Sequence, residues 1–334
     1  MEKALAAKLR ELLGSVRWLK DWTVERHPSP SDSRFDLQAT LPVQGAKMVN
    51  LLIQCKADPR PSQFPYTKVP RDSESSPALV FAAPYISPNM ARTCEENGWS
   101  WFDLAGNCRI DVPGVFLLER KGNEPVHEPP RPSANLSTPQ SARVIRALLV
   151  PENAGRTWTQ RDMQVHCQPN VSLGLVNKVV RHLRDEAFIE STDDGFRLRD
   201  PLKLLFAWRD AYRFDRHQPR RYFTLMKGPA LREALVPLES ATGGQIAYCA
   251  FTAADFQAPH VRQPKTWLFV DAEWEEEYAA ATQAKLVDSG ENLMALLPND
   301  PGVFYSSESK GERLACTNPV QTYVDLWHCG DLQQ

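Results

Sequence analysis

Asp36, Gln54 and Lys56 are residues whose types and spacing could carry metal-assisted chemistry on a phosphodiester. Gln54 and Lys56 flank Cys55 in Leu-Ile-Gln-Cys-Lys, an apolar run that reads as a strand, and alternation along a strand turns both to the same side. Asp36 lies 18 residues earlier, in a second strand-like run, Phe-Asp-Leu-Gln-Ala-Thr-Leu. An Asp carboxylate and a Gln carbonyl could hold Mg²⁺ while Lys56 steadies the attacking water or the scissile phosphate. The donor set is thin. Asp36 is the one firm carboxylate and hence the one metal ligand, Gln54 is neutral, and Lys56 opposes a cation. Glu25 is the only nearby acid to add. The expectation is a site with little or no metal-dependent cleavage of a phosphodiester.

A second constellation lies between residues 172 and 199. Ser172 opens an apolar-periodic helix in which Leu173, Val176, Val180, Leu183 and Ala187 share one face. Asn177, Lys178, Arg181, Arg184 and Asp185 are left on the other. After it come two short alternating segments about Asp194-Gly195, a pair suited to a tight hairpin turn, carrying Arg197 and Arg199. From Ser141 to Arg221 there are 15 Lys and Arg against 10 Asp and Glu, a surplus of +5 in a chain whose net charge is −2, so the rest carries −7. Concentrated positive charge on a helix and hairpin is the footprint of a phosphate-contacting surface. The DNA-binding residues expected are Ser172, Asn177, Lys178, Arg181, Arg184, Arg197 and Arg199, with Asn177 placed to pair with adenine. The plainer alternative is a helical bundle with a solvated basic face.

These residues need elements to hold them. Residues 1–120 read as an α/β domain in the order αβββαβ with extra strands. Its second helix is capped by Ser87, with Pro88 in the first turn, and ends at Asn97-Gly98. Ala105-Gly-Asn forms a hairpin turn, although Asp103 and Asn107 could also serve as functional groups beside the strand ends. Residues 121–140 are a Pro-rich, semi-extended linker. Residues 141–215 read as helix, helix, helix, hairpin, helix, the first capped by Ser141 and the second opened by Thr157 or Thr159 and carrying Met163 and Val165. Residues 219–334 read as an α+β domain of unassigned role. It has helices over 228–238, 242–258 and 273–285, and strands that include Gly302-Val-Phe-Tyr. Thr242-Gly-Gly invites comparison with a nucleotidyltransferase phosphate loop, but the paired carboxylates that such chemistry needs are missing.

The central stretch resembles a winged helix-turn-helix, the DNA-binding module of many bacterial regulators. The N-terminal order, with Asp36, Gln54 and Lys56 where they fall, resembles the restriction-endonuclease-like superfamily, in its Mrr-like Gln-x-Lys branch. Gly98-Trp-Ser-Trp-Phe-Asp-Leu-Ala-Gly-Asn107 and the closing Pro319-Val-Gln-Thr-Tyr-Val-Asp-Leu resemble bacterial AbiEi-like transcriptional regulators, the antitoxin class of type IV toxin–antitoxin systems. The resemblance implies a transcriptional regulator on double-stranded DNA, needing no cofactor, and admits a homodimer and a partner toxin. One departure stands out: simpler antitoxins of this class carry the winged helix at the N-terminus, whereas here it is central. The alternative, of another class, is a Mg²⁺-dependent DNA endonuclease using Asp36, Gln54 and Lys56.

Composition sets the remaining bounds. At 334 residues the chain is too long for one ordinary core, and 42% hydrophobic with 24% charged residues is ordinary for a globular protein. The seven cysteines are scattered singly, arguing for reduced thiols and against structural zinc. The longest apolar run is too short to cross a membrane, and the N-terminus reads as an amphipathic helix, so the expectation is a cytoplasmic protein with no membrane partner.

Overall fold

Alternation builds the first sheet. Leu37, Ala39 and Leu41 are buried, while Gln38 and Thr40 between them are half-buried, the period of a strand with one covered face. The computed structural model describes residues 1–26, 35–43, 47–65, 77–112, 114–127, 134–259, 264–308 and 314–329. Among them the chain is mixed α/β, with ten α-helices and three sheets. It divides into two compact units, Met1–Pro132 with Asp185–Ala187, and Ser133–Arg184 with Phe188–Gln334.

The first unit opens with α1 (Glu2–Gly14) and continues through β1 (Thr23–Arg26), β2 (Leu37–Val43), β3 (Lys47–Cys55), β4 (Ala78–Ala83), α2 (Pro88–Glu96), β5 (Ser100–Asp103), β6 (Cys108–Val112) and β7 (Phe116–Arg120). The seven strands lie side by side in chain order. β3, β4 and β5 run parallel, and every other neighbouring pair is antiparallel. Leu5, Leu9, Leu12 and Leu13 of α1 pack with Ile53, Val80 and Ala82, whereas Met90 and Cys94 of α2 pack with Phe81, Ala83 and Trp101. Because neighbouring residues of β4 face opposite ways, the two helices cover opposite faces of the sheet. The Ser87 hydroxyl accepts from the Met90 amide, with Pro88 in the first turn, and Gly106 makes the β5–β6 turn at φ +89°.

The second unit begins with α3 (Pro139–Leu149), β8 (Thr157–Trp158), α4 (Gln160–His166), α5 (Leu173–Asp185), β9 (Ile189–Thr192), β10 (Gly195–Leu198) and α6 (Pro201–Ala211). Several expectations need correction. The cap of α3 is Thr138, whose side chain accepts from the Ser141 amide; Ser141 itself is buried inside the helix. Thr159, not Thr157, caps α4, in a reciprocal box with Asp162. Thr157 belongs to β8, a two-residue strand too short to show in periodicity. It pairs with β10 and turns the hairpin into a three-stranded sheet of order β8-β10-β9. On α5 the covered residues are Val176, Val179, Val180 and Leu183; Leu173 is 40% exposed, and Val165 of α4 is 72% exposed.

The chain then runs through β11 (Gln218–Phe223), α7 (Pro229–Ala241), β12 (Ile246–Tyr248), α8 (Ala250–Gln257), β13 (Thr266–Val270), α9 (Glu275–Ala281), β14 (Lys285–Leu286), β15 (Leu293–Leu297) and α10 (Pro319–Cys329). Its sheet has the order β12-β13-β15-β11-β14. The helix expected over 242–258 is interrupted. Gly243 and Gly244, at φ +62° and +84°, end α7, where the Gly244 amide donates to the Glu239 carbonyl, and β12 follows. Thr242-Gly-Gly therefore closes one helix rather than opening another. Gly302-Val-Phe lies in a 3-10 turn rather than a strand, because the Asp300 carboxylate accepts from the Gly302 amide at 2.8 Å. The α3–α6 segment and this last sheet do not have separate cores: Trp158, Leu183 and Trp208 belong to one cluster with Trp267, Phe269 and Val324.

Inside this unit lies a directional polar chain. The backbone amide of Asn299 donates to His217 Nδ1 at 3.3 Å, so a neutral His217 carries its proton on Nε2 and donates it to the Tyr212 hydroxyl at 2.8 Å. Tyr212 donates in turn to Asp325 Oδ1 at 2.9 Å. Gln321 Nε2 donates to both Tyr212 and Asp325 and its Oε1 accepts from Arg146 Nε at 2.6 Å. Arg146 is 2% exposed and lies over the Trp208 ring. Burial pushes the Asp325 carboxyl up to about 7 and the His217 imidazole down to about 3.

A Cβ on Gly195, at φ +147°, would meet the Trp158 carbonyl oxygen at 2.1 Å, whereas one on Gly174 would meet nothing within 4 Å. Gly195→Ala should therefore lower stability by roughly 2–4 kcal/mol in urea unfolding, and Gly174→Ala should leave it unchanged or raise it by up to ~1 kcal/mol. For Asp325, a raised carboxyl pKa means that the folded state binds more protons than the unfolded one between about 4 and 7, so this group's contribution falls as pH rises through that window. His217 acts in the opposite sense, losing stability as pH falls below its unfolded value. Comparing Asp325→Asn with the parent cancels the His217 effect. The variant should gain on the parent by roughly 1–3 kcal/mol between pH 4.5 and 7.5 in urea midpoints.

Candidate nucleic-acid interface

The outward half of α5 is built by what the inward half must do. Val176, Val179, Val180 and Leu183 are fully covered, which turns Ser172, Leu173, Gly174, Lys178, Arg181 and Arg184 to solvent and leaves Asn177 half-exposed. The Ser172 hydroxyl accepts from the Leu175 amide at 3.2 Å and so caps the helix. Lys178 and Arg184 make no hydrogen bond or ion pair among the described residues, and Arg181 donates to Asn177 Oδ1 at 3.3 Å. Gly174, with open space where a side chain would be, leaves the first turn of the helix low enough for a close surface.

The hairpin carries charges of both signs. Arg197 is paired across the strands with Glu190, and the exposed tip carries Asp193 and Asp194, which repel phosphate. Arg199 is exposed and its amide donates to the Phe188 carbonyl. Two of the cations counted in the basic surplus point inward: Arg146 is buried, and Arg143 is held by Asp300 at 2.6 Å. Arg156 stacks over Trp158 at 4.0 Å and meets His166 at 3.0 Å. The exposed cations with no acid paired to them among the described residues include Lys178, Arg181 and Arg184 of α5, and Arg161 is exposed on α4. Sequence reasoning missed Gln160, half-exposed at the start of α4, whose Oε1 accepts from Asn177 Nδ2 at 3.3 Å. Nothing in periodicity marks it, because the contact is made between two helices.

In the first unit, Asp36, Gln54 and Lys56 do come to one edge of the sheet. Leu37 lies opposite Ile53, so Asp36 and Gln54 follow as neighbours across the β2–β3 pair. The Asp36 carboxylate is engaged, however: Oδ2 accepts from the Cys55 backbone amide at 2.7 Å. Gln54 is half-buried and Lys56 exposed, its amide donating to the Ala82 carbonyl. Glu25 lies opposite Gln38, further along β2, and does not complete the site. Among the described residues no group of three His, Cys, Asp or Glu is placed to hold a metal ion. A single carboxylate already bonded to the backbone, a neutral amide and an ammonium do not fit the oxygen-rich shell that Mg²⁺ requires.

Asp103 and Asn107 serve the turn. Asp103 is fully buried and accepts from the Asn107 amide at 2.9 Å and from its side chain at 3.0 Å. Burial raises its carboxyl above the usual range in spite of these bonds. Asn107 also binds both the carbonyl and the amide of Asn123, tying the chain beyond β7 to the turn. A cleft of about 490 Å³ beside this turn is lined by Tyr85, Arg92, Trp101 and Lys121 among others. All seven cysteines are buried and free. No described helix is long and apolar enough to cross a membrane.

Comparison of the chain with protein-family models, with curated proteins and with solved structures finds no match.

If α5 meets phosphates, removing its two unpaired cations should change salt dependence more than fold. Lys178→Ala with Arg184→Ala is expected to weaken duplex binding for every sequence and to flatten the log–log salt slope by about 2, because about one counterion is released per phosphate neutralised. Fluorescence anisotropy across a salt series measures this, and an unchanged slope would remove the two residues from the interface.

Proposed function

We propose that this protein is a duplex-DNA-binding transcriptional regulator, similar to AbiEi-type antitoxins, that reads DNA with α5. The observation that carries the reading is the two-sided build of that helix: four valine and leucine side chains fully covered on one side, and Lys178, Arg181 and Arg184 exposed on the other with no acid paired to them among the described residues. The order helix, strand, helix, helix, hairpin, with β8 closing a three-stranded sheet, supports a winged helix-turn-helix. In such a module the second helix of the pair enters the major groove. Arg197 and Arg199 belong to the hairpin that serves as the wing of such a module.

The first unit fits the same reading as a shape rather than a catalyst. Its strand order, with β2 antiparallel to β1 and β3 and with β3 parallel to β4, supports the restriction-endonuclease-like resemblance. Asp36 as the one carboxylate beside Gln54 and Lys56, with no group of three His, Cys, Asp or Glu placed to hold a metal ion among the described residues, argues against an active Mg²⁺ nuclease. Partner toxin, operator and homodimer remain parts of the proposal carried by the resemblance alone.

A random duplex pool incubated with the protein, with and without Mg²⁺ or Mn²⁺, tests both halves. The expected result is retention of a subset of duplexes that does not depend on metal, with plasmid, single-stranded and branched DNA left intact. Metal-dependent cleavage abolished by Lys56→Ala would instead make the endonuclease the function.

A further inference from the structure

We infer that Gln160 is a positioning and contact residue of this interface: it sets which end of the Asn177 amide meets a base, and it presents its own amide N–H groups to a backbone phosphate oxygen of duplex DNA. The inference rests on the reading of α5 as a duplex-DNA reader.

Three side chains on two helices form a chain whose polarity is forced. Arg181 donates to Asn177 Oδ1, and Asn177 Nδ2 donates to Gln160 Oε1, each at 3.3 Å. A guanidinium has donors only, so Asn177 must turn its oxygen to Arg181 and its N–H₂ to Gln160. An N–H₂ arriving at Gln160 needs the carbonyl of that amide, which turns Gln160 Nε2 away from Asn177. The donors thus run in one sense, from Arg181 through Asn177 to Gln160, and end on an amide nitrogen with no acceptor among the described residues.

Each member keeps one function unfilled. Asn177 retains one N–H and one oxygen lone pair, the pair that the N7 and N6–H₂ of adenine complement in the major groove. Gln160 retains the N–H₂, and phosphate oxygens are the acceptors that a groove-bound helix meets most often. A neutral amide there orients the reader without adding to salt dependence, since it releases no counterion. Asp162, the acid nearest in sequence to Gln160, is already held by the hydroxyl and amide of Thr159, which lower its carboxyl below the usual range. It therefore does not compete for the Gln160 amide.

Two substitutions separate the roles, using a duplex selected by the parent protein and its single-base variants. Gln160→Glu keeps an acceptor for Asn177 but replaces the donor with an anion: affinity should fall at least tenfold for every sequence, with the parent's base preference intact. Gln160→Ala frees Asn177: preference at one A·T pair should relax, from roughly tenfold or more to about twofold, matching Asn177→Ala at that pair and leaving the salt slope unchanged. In the DNA-free protein, hydrogen exchange of the Asn177 side-chain amide by NMR should be slowed in the parent and in Gln160→Glu and fast in Gln160→Ala. Parent-like affinity and preference in both variants would overturn the inference, as would Asn177 exchange indifferent to Gln160. A parent that binds no duplex, while its Asn177 exchange does depend on Gln160, would sink the DNA reading and the contact half with it, leaving only the side-chain chain itself.

Discussion

The guanidinium of Arg146 is the constraint on which the second unit depends. A cation taken wholly out of water costs several kcal/mol in desolvation, and Arg146 offsets it with few bonds, since its buried Nη1 has no hydrogen-bond partner among the described residues. Arg146 sits in α3, and the group that receives its Nε proton is Gln321 in α10, 175 residues away. Gln321 and Asp325 stand one turn apart on that helix and draw in Tyr212 from the end of α6 and His217 from the start of β11. One side chain therefore specifies how four segments distant in sequence meet. Apolar packing of Trp208, Trp267 and Val324 supplies the burial, and the directional bonds select one arrangement of it.

The same unit presents α5. A helix offers a working face only if the opposite face is immobilised, and Val176, Val179, Val180 and Leu183 do that by full burial. Lys178 and Arg184 need no protein partner because solvent hydrates them, which also leaves them free for phosphates. The inward cations behave otherwise: Arg143 and Arg146 are engaged by Asp300 and Gln321. Net charge over a stretch of sequence is thus a poor measure of a surface, since it adds cations that hold the fold together to cations that face outward.

A parallel distinction applies to carboxylates at the sheet edge of the first unit. Asp36 accepts the backbone amide of Cys55, and Asp103 accepts the amide and side chain of Asn107. Both acids lie at strand ends, where polar groups gather around a catalytic centre in many α/β folds. Here each closes a gap in backbone hydrogen bonding. An acid that accepts one backbone amide keeps its other oxygen, so what a metal site lacks here is further ligands: among the described residues no group of three His, Cys, Asp or Glu is placed to hold a metal ion.

Local pattern carried much of this protein. The alternation of Leu37, Ala39 and Leu41, the Ser87-Pro88 helix start, Val176, Val180 and Leu183 of α5 and the polar residues opposite them are legible, because each follows from a period or a cap within a few residues. The neighbouring placement of Asp36 and Gln54 was legible too, since two antiparallel strands joined in sequence bring such positions together. Elements decided by a distant partner were not legible. β8 is two residues long and exists because β10 pairs with it; Ile246–Tyr248 is a strand because β13 lies beside it. Gln160 gained its bond to Asn177 only when α4 and α5 crossed. The sequence by itself determined which residues prefer water and which prefer the core. Only the tertiary structure decided which polar groups were left without a partner, because hydrogen bonding is settled by distances between segments that no local pattern encodes.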